Sequence, residues 1–197
     1  MSEKTCFVIM PIGNQKHGDI EISASELKAR YNDLIKVAIN NANSELTVIR
    51  ADEFPISGSI SKEILTYLMH ADYVIADISY PNPNVFYELG LRHAVRSGTI
   101  LIKDSSAPRV PFDINHLKYY EYENTPSGLK NLSDQLKEYF SSEQTTTHPD
   151  NDFLYLAQFT KYRYPDFSDR KDLLEEYNYL KKKTFELEKH IEKKISF

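Results

Sequence analysis

The chain has 197 residues, 41% of them apolar and 27% charged, a composition of globular rather than fibrous or disordered proteins. Twenty-four Lys and Arg against 29 Asp and Glu leave a net charge of −5, and Glu175, Glu176, Glu186 and Glu188 flank the one basic run, Lys181-Lys182-Lys183, so no nucleic-acid platform is expected. The lone cysteine, Cys6, excludes an intramolecular disulfide. The first residues lack the order of a signal peptide, and no apolar run approaches the ~18 residues of a membrane span; a soluble, cytoplasmic protein without membrane contact is expected.

Short apolar runs alternate with longer helix-like segments, as in an α/β domain with a parallel sheet. Cys6-Phe7-Val8-Ile9-Met10, closed by Pro11 and Gly13, reads as a central strand, apolar on both faces. From about Ser25 to Asn41, residues Leu27, Tyr31, Leu34, Ile35 and Ala38 recur at helical spacing. Leu46 to Ile49 forms a second strand that ends at Asp52-Glu53. Ser59 suits the N-cap of a helix carrying Ile60, Ile64, Leu65 and Leu68, with Glu63 near its first turn. Tyr73 to Ala76 is a third strand with Asp77 at its carboxyl end. Asn82-Pro83-Asn84 then opens a helix that runs to about Ser97 and stops at Gly98. Thr99 to Ile102 makes a fourth strand, Lys118 to Tyr122 a weaker fifth, and Leu129 to Phe140 a covering helix. The expected fold is a flavodoxin-like, Rossmann-like α/β sheet of five parallel strands in the order 2-1-3-4-5, with flanking helices.

Residues 1–142 constitute this domain, and residues 143–197 a linker with a helical extension. In the extension Leu173, Tyr177, Leu180, Thr184, Leu187 and Ile191 alternate four- and three-residue steps over roughly three heptads. Such a seam serves a helix folded back on its own domain or one that self-associates. A homo-oligomer is expected.

The six glycines (13, 18, 58, 90, 98 and 128) form neither a dinucleotide fingerprint nor a P-loop, and neither HExxH nor GxSxG occurs. No metal and no cofactor are expected. Carboxylates remain. Ligands of open α/β sheets bind beyond the carboxyl ends of the strands, where Pro11-Ile12-Gly13, Asp52-Glu53, Asp77 and Lys103-Asp104 fall, with Glu88 early in the adjoining helix. Spacing alone leaves bland readings open. Glu88 sits four residues before Arg92, the favourable order for a helix ion pair. Asp77 suits a turn, and Asn82 with Asn84 a helix cap.

Phe7-Val8-Ile9-Met10-Pro11-Ile12-Gly13, Ala51-Asp52-Glu53, the segment from Ala71 to Asp77, and above all Asn82-Pro83-Asn84-Val85-Phe86-Tyr87-Glu88-Leu89-Gly90 resemble the nucleoside 2-deoxyribosyltransferase-like superfamily. The likeness runs over roughly Thr5 to Tyr122 and points to a bacterial branch related to TIR-like NAD hydrolases and often associated with phage defence. It implies that Glu88 is the nucleophile at C1′ of a ribosyl or deoxyribosyl group, its ionised form favoured by the helix N-terminus, and that Asp77 binds or protonates the leaving base. Met10, Pro11, Ile12, Gly13, Asp52, Glu53, Asn82, Asn84 and Tyr87 are the candidate substrate-binding residues. The expected activity is cleavage or transfer at the base–sugar bond of a nucleoside or nucleotide. A TIR-like NAD hydrolase and a catalytically silent nucleotide-sensing module are the alternatives.

Overall fold

The computed structural model describes residues 4–54, 60–142, 148–159 and 171–195. In chain order the elements are β1 (Lys4–Ile9), a hairpin of β2 (Gln15–His17) and β3 (Ile20–Ile22), α1 (Ala24–Arg30), α2 (Lys36–Ala42), β4 (Leu46–Arg50), α3 (Ile60–His70), β5 (Tyr73–Asp77), α4 (Pro83–Val95), β6 (Thr99–Asp104), β7 (Tyr119–Tyr122), α5 (Pro126–Ser141), α6 (Asp152–Ala157) and α7 (Lys171–Ile195). The main sheet is parallel throughout and ordered β4-β1-β5-β6-β7, which is the expected 2-1-3-4-5. The protein therefore has the flavodoxin-like α/β fold.

Strand alternation builds two cores. Cys6, Val8, Tyr73, Ile75, Ile100 and Ile102 point to one face and pack with Leu27, Leu34 and Ile35, and with Leu132 and Leu136 of α5. Phe7, Ile9, Val74, Ala76 and Leu101 point to the other face and meet Tyr67 and Leu68 of α3 and Leu89 of α4. With both faces covered, the central strands keep their polar residues to their ends, and this is why their apolar runs stand out in the sequence.

Local chemistry sets the helix starts. Ser23 and Glu26 form a reciprocal capping box on α1, and Thr125 caps α5 ahead of Pro126. Asn82 caps α4, with Pro83 at the first helical position, where its missing N–H costs nothing. The single helix expected over 25–41 is instead α1 and α2 joined through a π-helical turn, Tyr31–Ile35. Gly98, with φ +87°, ends the α4 segment where no other residue fits: an added Cβ would lie 2.5 Å from the Asp72 carbonyl oxygen. Ser59, the expected cap of α3, lies outside the described residues, as do the side chains of Leu173 and Ile191.

Beyond the sheet, Asp150 Oδ2 accepts the Thr99 amide at 2.7 Å, and α6 packs on α4. Helix α7 docks on α3, where Lys181 Nζ and Glu63 Oε2 lie 2.6 Å apart. Among the described residues no helix is long and apolar enough to cross a membrane.

Candidate active site

The chain turns one way from β1 to β4 and the opposite way from β5 to β6, so a crevice opens between the carboxyl ends of β1 and β5. A cleft of about 630 Å³ occupies that place. Its floor is the segment Met10-Pro11-Ile12-Gly13 that leaves β1. Two helix faces form its sides: Ser61, Ile64, Leu65 and Leu68 from α3, and Asn84, Tyr87, Glu88 and Leu91 from α4. Both sets repeat at i, i+3, i+4 and i+7, so each helix turns one continuous stripe inward. Gln15, at the start of the hairpin, closes the rim. Asn82 Nδ2 donates to Gln15 Oε1 at 2.9 Å, which ties the hairpin to the start of α4.

Glu88 is half-buried in this wall. It makes no hydrogen bond or ion pair among the described residues, and burial alone pushes its carboxyl up to about 7. The helix N-terminus gives it little help. Glu88 is the sixth residue of α4, past the first turn in which the helix dipole acts, so the expected dipole support for the ionised form does not apply.

The Glu88–Arg92 pair that spacing allows does not form. Arg92 is fully buried and donates to four carbonyls: Leu68 at 2.8 Å, Ala71 at 3.0 Å, Asp72 at 3.4 Å and Ser97 at 2.6 Å. Desolvation in that site lowers its pKa to about 9. It fastens the ends of α3 and α4 to the start of β5.

Eight of the eleven candidate residues meet in the cleft: Met10, Pro11, Ile12, Gly13, Asn82, Asn84, Tyr87 and Glu88. Asp52, Glu53 and Asp77 do not line it, and each has a structural reason. Asp52 takes two hydrogen bonds at 2.6 Å from the buried Arg50, which hold its carboxyl below the usual range. Burial pushes Glu53 up, but hydrogen bonds from Lys36, Tyr31 and the Arg50 amide outweigh it and leave it lowered. Asp77 is 1% exposed and accepts from the Ser79 amide and hydroxyl and from the Tyr122 hydroxyl. Burial raises its pKa. Its side chain braces the turn between β5 and α4.

Gln15, Ser61, Ile64, Leu65, Leu68, Val85 and Leu91 complete the lining. The α3 residues were visible as a helical apolar stripe, but nothing local shows that its outer edge meets α4 across a cleft. Gln15 sits in a three-residue strand with no apolar pattern and left no signal.

No family model matches the sequence, and no curated protein matches it. Among solved structures, the fold is similar to that of a 2-desoxiribosyltransferase from Leishmania mexicana, with 14% identity, a TM-score of 0.40, and coverage of 66% of this chain and 97% of that one. A flavodoxin-like domain from Synechococcus sp. is similar at 11% identity and a TM-score of 0.38, over 70% of this chain and 97% of that one.

Proposed function

We propose that the protein cleaves the N-glycosidic bond of a nucleoside, with Glu88 as the nucleophile. One observation carries this reading: a carboxylate without a partner among the described residues, in the wall of a ligand-sized cleft at the switch point of the sheet. The Tyr87-Glu88-Leu89-Gly90 resemblance supports it independently.

The chemistry is a displacement at C1′. The Glu88 carboxylate forms an ester bond to C1′ as the C1′–N bond breaks, and the bonding pair leaves with the base, which takes a proton from water. Water, or a second base, then attacks C1′ and frees Glu88. Desolvation leaves an unpartnered carboxylate with little solvent to shed before attack.

Among the described lining residues there is no Lys or Arg. The start of α4 offers no free amide to a phosphate either. Pro83 has none, Asn84 and Val85 donate to Asn82 Oδ1 at 2.9 and 3.3 Å, and Phe86 donates to the Asn82 carbonyl at 3.1 Å. These features favour an uncharged nucleoside over a nucleotide or NAD. Ile64, Leu65, Leu68 and Leu91 suit the faces of a base, and the side-chain amide of Asn84 suits a hydroxyl.

The test is incubation of the purified chain with a pool of nucleosides, their 5′-monophosphates and NAD, followed by chromatography of released bases. Base release confined to the nucleosides is expected. Release from NAD alone would select a NAD hydrolase, and no release from any substrate would reject the activity.

A further inference from the structure

Helix α7 presents two different faces. Asn178, Lys181, Lys182 and Phe185 line a groove against Phe54 and Tyr67. There the Lys181 ammonium pairs with Glu63 and stands 5.4 Å over the Phe54 ring, and the Tyr67 hydroxyl lies 3.4 Å from Asn178 Oδ1. The stripe Tyr177, Leu180, Thr184 and Leu187 lies roughly 120° around the helix from that groove. Leu180 is 52% exposed and Leu187 56%, although both are Leu at heptad spacing. Thr184 returns its hydroxyl to the Leu180 carbonyl at 2.9 Å, so it adds no polar demand to the stripe. The helix thus meets its own domain through one face, with Tyr177 half-buried at its edge, and leaves Leu180, Thr184 and Leu187 of its heptad seam open.

We infer that this seam is the interface with a second copy of the chain, paired in parallel as a short two-stranded coiled coil. A heptad stripe of this kind fits another helix carrying the same stripe, with Leu at the position that suits two strands. The flanking charges select the direction. In parallel register the sequence sets Glu176 opposite Lys181 of the second copy, and Lys183 opposite Glu188. An antiparallel pair with the same core layers would set Lys183 against Lys183 and Lys181 against Lys181. Lys181 is already committed to Glu63, so the pair that reports direction is Lys183 with Glu188. Three heptads are marginal alone in water; docking on α3 holds α7 helical and lowers the ordering cost of pairing.

Light scattering on the full chain at about 100 µM tests this. The wild type is expected to be a dimer, and Leu180→Glu with Leu187→Glu a folded monomer that still melts cooperatively, because both sites are exposed on the single chain. Lys183→Glu is expected to weaken the dimer roughly tenfold, and adding Glu188→Lys to restore it. Thr184→Cys is expected to oxidise to a covalent dimer, since the parallel register sets position 184 against itself and Cys6 is buried. A monomeric wild type, a dimer that survives both Leu substitutions, or a charge swap without recovery would overturn the proposal.

Discussion

Arg92 follows Glu88 by one helical turn on α4, yet all four of its hydrogen bonds go to main-chain carbonyls and none to Glu88. The two side chains serve different ends of the structure. Arg92 closes the interior where α3, β5 and α4 converge, and Glu88 is left facing the cleft.

Arg92→Met therefore is expected to destabilise the protein by about 3 kcal/mol or more, since it leaves several buried carbonyls without donors. Chemical denaturation measures this. The ionisation of Glu88 should stay near its wild-type value in the same variant. A shift of a whole unit would show that the two charges are coupled after all.

The pH dependence of base release follows from the raised Glu88 carboxyl. A nucleophile must be ionised, so kcat/KM is expected to rise through pH about 7 and level off above it. Activity that falls through the same range would make Glu88 a proton donor. Stability moves the other way. A carboxyl raised in the folded state binds more protons there than in the unfolded chain, so its contribution declines as pH rises from about 4.5 to about 7. Glu88→Gln removes that decline, and at pH 8 its melting temperature should equal or exceed that of the wild type.

Asp77→Asn is expected to lower the melting temperature while leaving the KM for a nucleoside unchanged. Asp77 accepts three hydrogen bonds and an amide can accept with one oxygen only, a loss of about 1 kcal/mol. A large rise in KM at unchanged stability would return Asp77 to the ligand.

Gly98→Ala is expected to cost about 2 kcal/mol, because its positive φ and the nearby Asp72 carbonyl leave no room for a methyl group. Thermal melting reads it directly, and a neutral result would show that the chain relaxes there.

The strands were legible because a sheet buried on both faces demands apolar runs, and Cys6 to Met10 or Thr99 to Ile102 have no other reading. Asn82, Pro83 and Gly98 marked the ends of α4 through local backbone chemistry. The partners of the charged residues were not legible. Tyr31 and Glu53, or Arg30 and Asp104, meet because the α1–α2 segment packs over the carboxyl ends of the strands, and that proximity is set by topology. The π turn at Tyr31–Ile35 and the hairpin Gln15–Ile22 also left no pattern, since the first keeps helical periodicity and the second is too short to alternate.

The central claim is that Glu88 carries the bond cleavage, and Glu88→Gln tests it most directly. Base release from a nucleoside pool and melting temperature are measured on the same wild-type and variant samples. The account predicts that release falls by orders of magnitude while melting is unchanged or slightly raised. Release at the wild-type rate from the folded variant would contradict it.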